Sequence, residues 1–113
     1  MHIHDVLIEQ LLMDSGDHPA LVALFEKFIA PLEAYDKEFG TSLLLTLEAF
    51  MRVGSNTKRV AEELFVHRNS VLYRLERINE ILHIDLNDAE IRLRLNLALR
   101  FWKMKSVINS DLL

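Results

Sequence analysis

The chain has 113 residues, half of them apolar or aromatic, enough for one domain with its own core. It contains no cysteine, which excludes a disulfide framework and cysteine-based zinc sites and fits a reducing cytoplasm. The formal charge is −4, no apolar run is long enough to span a membrane, and the N-terminus lacks the layout of a secretion signal, so a soluble cytoplasmic protein is expected.

In chain order, Ile3 to Met13 is a first apolar segment, with Val6, Leu7, Gln10, Leu11 and Asp14 at helical spacing. Ser15-Gly16-Asp17 breaks it. Pro19 opens a second helix whose apolar face is Leu21, Val22, Phe25, Phe28 and Ile29. Pro31 is predicted to end or kink that helix, since the residue before a proline avoids helical geometry. Leu32 to Phe39 then forms a short further helix closed by Gly40. Thr41 or Ser42 opens the next, Gly54 closes it, and Leu44, Leu47, Phe50 and Met51 are its buried stripe. The first fifty residues carry nine acids against Lys27 and Lys37, a net of −7 that nucleic acid should avoid.

The most informative stretch runs from Asn56 to Leu82. Asn56 can accept from the free amides of an opening helical turn, and Val60, Ala61 and Leu64 share one face of the helix that follows. Phe65 and Val66 make a tight turn, with Val66 plugging the gap between two helices and the small Ala61 at their crossing. The second helix starts at about His67 or Arg68 and buries Val71, Leu75, Ile78 and Leu82. Asn69, Tyr73, Glu76 and Glu80 point the other way, with Ser70 and Arg77 on one shoulder. Two such helices form a helix-turn-helix, with the helix from about residue 67 to 82 placed to read the major groove of double-stranded DNA.

The DNA-binding candidates are Asn56, Lys58, His67, Arg68, Asn69, Ser70, Tyr73, Arg74 and Arg77. Arg grips guanine edges or phosphate, Asn pairs bidentately with adenine, and Ser and Tyr donate to phosphate oxygens. Between residues 52 and 77 six Lys or Arg face three Glu, a local +3 inside an acidic chain. Blander readings stand beside these: Arg74 and Arg77 pairing with Glu76 or Glu80, and His67 capping the helix instead of touching DNA.

The last segment is ambiguous in period. Ile91, Leu93, Leu95, Leu97 and Leu99 alternate with mostly polar residues, as in a strand. The run is Leu-rich rather than β-branched, continues apolar through Phe101 and Trp102, and follows Asn87 with Glu90 three residues later, a helix start. A helix is therefore predicted, apolar on two sides: Ile91, Leu95, Ala98 and Trp102 on one, Leu93, Leu97, Phe101 and Met104 on the other. One side closes the core and the other suits a partner.

LFVHRNSVLYRLERINEIL, followed by IDLNDAEIRLRLNLAL, resembles the C-terminal helix-turn-helix domain of the PucR/CdaR type of bacterial transcriptional regulators. That family opens its recognition helix with His-Arg-Asn-Thr and carries Tyr-Arg-Leu in its middle. These correspond to His67-Arg68-Asn69-Ser70, with Ser keeping the hydroxyl of Thr, and Tyr73-Arg74-Leu75. Asp85-Leu86, Asp88 and Leu95 to Leu99 match downstream, and Pro31-Leu32 and Tyr35-Asp36 through Leu47 match the lead-in. The resemblance covers roughly residues 18 to 104. It implies a DNA-binding output domain of a regulator whose effector-sensing N-terminal region is absent from these residues.

The expected fold is all-α, about six helices: a three-helix helix-turn-helix core with additional N- and C-terminal helices. Residues 1–40 are a helical lead-in and 41–113 the DNA-binding domain, joined in one compact unit. A homodimer is expected, because one helix-turn-helix buries little DNA surface. The alternative is a helical interaction or dimerisation module without DNA binding. An enzyme is not expected, and no catalytic, cofactor or metal residues are assigned. The five histidines form no i, i+4 ligand pair, and three glycines build no phosphate loop.

Overall fold

The computed structural model describes the backbone of residues 3–112 and the side chains of residues 6–107. His2 and the His4 side chain, two of the five histidines, lie outside that range. The described residues contain helices and no strand: α1 (Ile3–Ser15), α2 (Pro19–Leu24), a π-helical turn (Phe25–Ile29), α3 (Ala30–Phe39), α4 (Leu43–Arg52), α5 (Thr57–Leu64), α6 (Arg68–Leu82) and α7 (Ala89–Leu112). The alternating run from Ile91 lies inside α7, as its Leu-rich composition predicts.

The sequence predicts an end or a kink at Pro31, and the chain shows neither a break nor a new start there. In a regular α-helix the proline ring strikes the carbonyl four residues back and donates nothing to it. Here the backbone winds wider just before the ring, and the Ala30 amide donates to the Phe25 carbonyl, five residues back. The helical run therefore continues unbroken from Pro19 to Phe39. Phe28, Ile29 and Leu32, which flank the wide turn, are all fully buried.

The helix start read from the sequence holds at α4 and is corrected at α7. Ser42 holds the N-cap position of α4 but makes no capping bond with its side chain. The cap comes from α3: Asp36 Oδ1 accepts from the Leu43 amide at 2.8 Å, and Oδ2 accepts from the Leu44 amide at 3.0 Å. The Thr41 hydroxyl also donates to this carboxylate. At α7 the cap is Asp88, not Asn87, its Oδ1 accepting from the Glu90 amide at 2.8 Å. The one-residue shift has a local cause, since the Asn87 amide is held in an Asx-turn by Asp85 Oδ1 at 2.8 Å.

A single cluster of buried side chains joins the elements from the π turn to α7, including Leu47, Val60, Val71, Ile78, Leu95 and Ala98. Both apolar sides predicted for α7 are largely used. Phe101 is buried, and Leu93 at 55 % exposure is the main residue left out. Helix α1 behaves in the opposite way. Leu12 is buried, while Val6, Leu7, Leu11 and Met13 are exposed, so the stripe predicted from spacing faces outward.

The Asp36 cap is charged and makes two backbone bonds and one to a hydroxyl, so its loss should be felt throughout the bundle. Asp36→Ala is expected to destabilise by roughly 1–2 kcal/mol in urea unfolding, and Ser42→Ala by well under half of that. Equal costs for the two variants would return the cap to Ser42.

Candidate nucleic-acid interface

Helices α4, α5 and α6 form the three-helix arrangement predicted from the motif, with α6 packed on both α4 and α5. Asn56 caps α5, its Oδ1 accepting from the Arg59 amide at 3.2 Å. Helix α5 ends at Phe65 in the left-handed region (φ 57°), and the Val66 amide returns to the Ala61 carbonyl at 3.1 Å. That closure brings Ala61 (8 % exposed) and Val66 onto the core. Phe65 itself is 94 % exposed. His67 then caps α6, its Nδ1 accepting from the Asn69 amide at 3.0 Å. Nδ1 carries the lone pair in that arrangement, so the other ring nitrogen bears the proton.

The nine predicted residues fall into three groups. Lys58, Arg68 and Asn69 are exposed, and neither cation has an ion-pair partner among the described residues. Asn56 and His67 are exposed but hold helix starts with their side chains. Ser70, Tyr73, Arg74 and Arg77 lie on the shoulder of α6 that faces the end of α3. With Asn69, Tyr35 and the 40–43 segment they line a cleft of about 500 Å3.

Within that cleft two arginines are already engaged. Arg77 donates to the Tyr73 hydroxyl at 2.8 Å, lies over the Tyr73 ring at 5.5 Å and pairs with Glu80 at 3.4 Å. The hydrogen bond to Tyr73 holds its guanidinium above the ordinary range. Arg74 is turned toward α4 and donates to Thr46 Oγ1 at 3.2 Å. Thr46 is fully buried, and its hydroxyl also donates to the Ser42 carbonyl at 2.8 Å, so both capacities of that oxygen are used. Thr46 is absent from the residues predicted for the site, and its one signal in the sequence is a hydroxyl within the apolar α4.

Electrostatics narrow the basic patch further. Arg52, counted in the local +3, is held by Glu48 at 3.0 Å and by Glu63. Its hydrogen bond holds the Glu63 carboxyl below the ordinary carboxylate range. A depressed carboxylate stabilises the fold above its unfolded range and loses that contribution as pH falls through the lowered value. Both groups are exposed, so the effect is small. Of the six cations counted there, those left for a polyanion are Lys58, Arg59 and Arg68, in the first turns of α5 and α6, where helix-terminal amides also favour phosphate.

A family model for the PucR C-terminal helix-turn-helix domain matches residues 43–101, from the first turn of α4 into α7. The chain belongs to that family. It is an all-α, DNA-binding helix-turn-helix domain. It is similar to the proline-responsive transcriptional activator PutR of Bacillus subtilis, 43 % identical over 79 residues, which are 70 % of this chain and 19 % of that protein. It is also similar to the purine catabolism regulatory protein of B. subtilis, 43 % identical over 65 residues, 58 % of this chain and 12 % of the relative. The carbohydrate diacid regulator of Escherichia coli is 40 % identical over 55 residues, 49 % of this chain and 14 % of the relative. The chain thus spans less than a fifth of the length of these relatives. No solved structure matches it at the same stringency.

The Thr46–Arg74 bond is the polar tie between the recognition helix and α4. In a double-mutant cycle, Thr46→Val and Arg74→Ala are expected to couple by about 1 kcal/mol in unfolding free energy. Strictly additive costs would show that Arg74 is not held by Thr46 in solution.

Proposed function

We propose that this domain is the sequence-specific DNA-binding output module of a PucR-like transcriptional regulator, reading the major groove with α6. The observation that carries the reading is the free, polar, cationic N-terminal end of α6 backed by a buried three-helix core. Family membership supports it.

Within this reading Asn69 reads a base edge, because it is exposed in the first turn of α6 and carries a bidentate amide. Arg68 and Lys58 grip phosphate. Asn56 and His67 fix the helix ends that present those groups. Arg74 orients α6 through Thr46, and the Tyr73–Arg77 pair borders the groove along the cleft with Ser70. The domain works in the cytoplasm, carries out no catalysis and takes its signal from a sensing region of a longer parent. The relatives' printed names (proline-responsive, purine catabolism, carbohydrate diacid) make small metabolites the class of effector. Residues 1–40 and 41–113 act as one body, the lead-in bracing the DNA-binding part through Asp36 and the shared core.

Base reading and phosphate gripping separate in a titration against cognate and scrambled duplexes at several salt concentrations. Asn69→Ala is expected to lose about 1–3 kcal/mol on the cognate duplex and to relax preference at one position. Lys58→Ala is expected to weaken both duplexes alike and to lower the salt slope by about one. Equal weakening of both duplexes by Asn69→Ala would remove it from base reading.

The domain is further proposed to pair as a homodimer, since two half-sites supply the DNA surface that one helix-turn-helix lacks. The outward stripe of α1 (Val6, Leu7 and Leu11) is the surface put forward for it. Leu7→Glu with Leu11→Glu is expected to give a monomer by sedimentation with unchanged helix content. A monomeric parent chain at high concentration would assign pairing to another part of the regulator.

A further inference from the structure

The side chains of α6 that are exposed are Arg68, Asn69, Leu72, Tyr73, Glu76 and Glu80. At 3.6 residues per turn they occupy one continuous arc. The Ser70–Arg74–Arg77 shoulder is less exposed: with Asn69 and Tyr73 it lines the cleft against Tyr35 and the 40–43 segment, and Arg74 is tied to Thr46. The middle of the free arc therefore holds no arginine, and Asn69 lies about as far to one side of it as Leu72 lies to the other. It falls between Leu72 and Glu76, one turn apart, a leucine 43 % exposed and a carboxylate with no ion pair to any described residue.

Neither residue is explained by the fold or by general attraction to DNA. Leu72 spends apolar surface on water at the centre of a polar face, and Glu76 repels phosphate from the same place. In the major groove both have complementary chemistry. The C5 methyl of thymine is the apolar feature offered there, and the N4 amino group of cytosine is a donor that a carboxylate can accept. From these observations we propose that Leu72 and Glu76 are specificity-determining residues, selecting a thymine and a cytosine respectively in the target site. Their separation of about 6 Å along the helix corresponds to roughly two base-pair steps of about 3.4 Å. This rests on the major-groove reading proposed above and adds which bases the centre of the helix requires.

The experiment is selection of bound duplexes from a random library by the full chain and by Leu72→Ala, Leu72→Gln and Glu76→Ala, followed by titration of the selected site. The parent is expected to select a T and a C about two steps apart. Replacing that thymine by uracil, which removes only the methyl, should weaken the parent roughly three- to ten-fold and leave Leu72→Ala unaffected. Glu76→Ala should lose preference for the cytosine while binding scrambled duplex more tightly than the parent, because a charge that repels phosphate is gone. A merely structural role moves neither the uracil sensitivity nor the scrambled-duplex affinity in this way. A parent that selects a site insensitive to uracil, with Glu76→Ala keeping the same base preferences, overturns the inference and leaves the DNA reading standing. A parent that selects no sequence at all removes both.

Discussion

Four other helical elements meet on α4, and α4 begins on a carboxylate borrowed from α3. A helix start leaves up to four amides without internal partners, and here a buried end could not have relied on water for them. Asp36 takes two, from Leu43 and Leu44, both of which are buried. The cap is thus a local hydrogen-bond solution and a long-range tether at once. It places α4, α4 places α6 through apolar contacts and through Thr46 with Arg74, and α6 carries the exposed polar arc.

That chain of dependence explains why the lead-in helices belong to the physics of the site although they carry acidic charge. The end of α3 and the 40–43 segment line a cleft with one shoulder of α6, which leaves Ser70 and Arg74 partly buried while Arg68, Leu72 and Glu76 stay exposed. The polar face that a helical wheel draws as symmetric is made asymmetric by its neighbours. Arg77 is turned onto Tyr73 and Glu80, and Arg52 onto Glu48 and Glu63, so the cationic surface is smaller than the residue count implies.

Much of the bundle was legible in the sequence because periodicity reports burial directly. The stripe of Val71, Leu75 and Ile78, the small Ala61 and the plug at Val66 appear where spacing put them. Capping from a distance was not legible: the partner of the α4 amides sits seven and eight residues upstream on another helix, and only the turn at Gly40 brings it back. Spacing identified the apolar face of α1 without saying whether anything covers it, and Val6, Leu7 and Leu11 are exposed. Of the candidate site, the residue set was readable and the division of labour was not. Whether Arg74 looks outward or toward Thr46 is decided by a partner 28 positions away.

The π turn at Phe25–Ile29 accommodates Pro31 and also changes helical phase. A wide turn takes up one more residue than an α turn, so the faces of α3 are rotated by about a quarter turn or slightly more relative to a continuous α-helix. The rotation acts as a built-in indexing step, aligning Phe28 and Ile29 with Leu32 on the core while Asp36, one turn after Leu32, comes round to the α4 end. Shortening this segment by one residue would restore regular winding at the expense of that alignment. The length of the lead-in between Pro19 and Pro31 is thereby fixed by angle, not by reach.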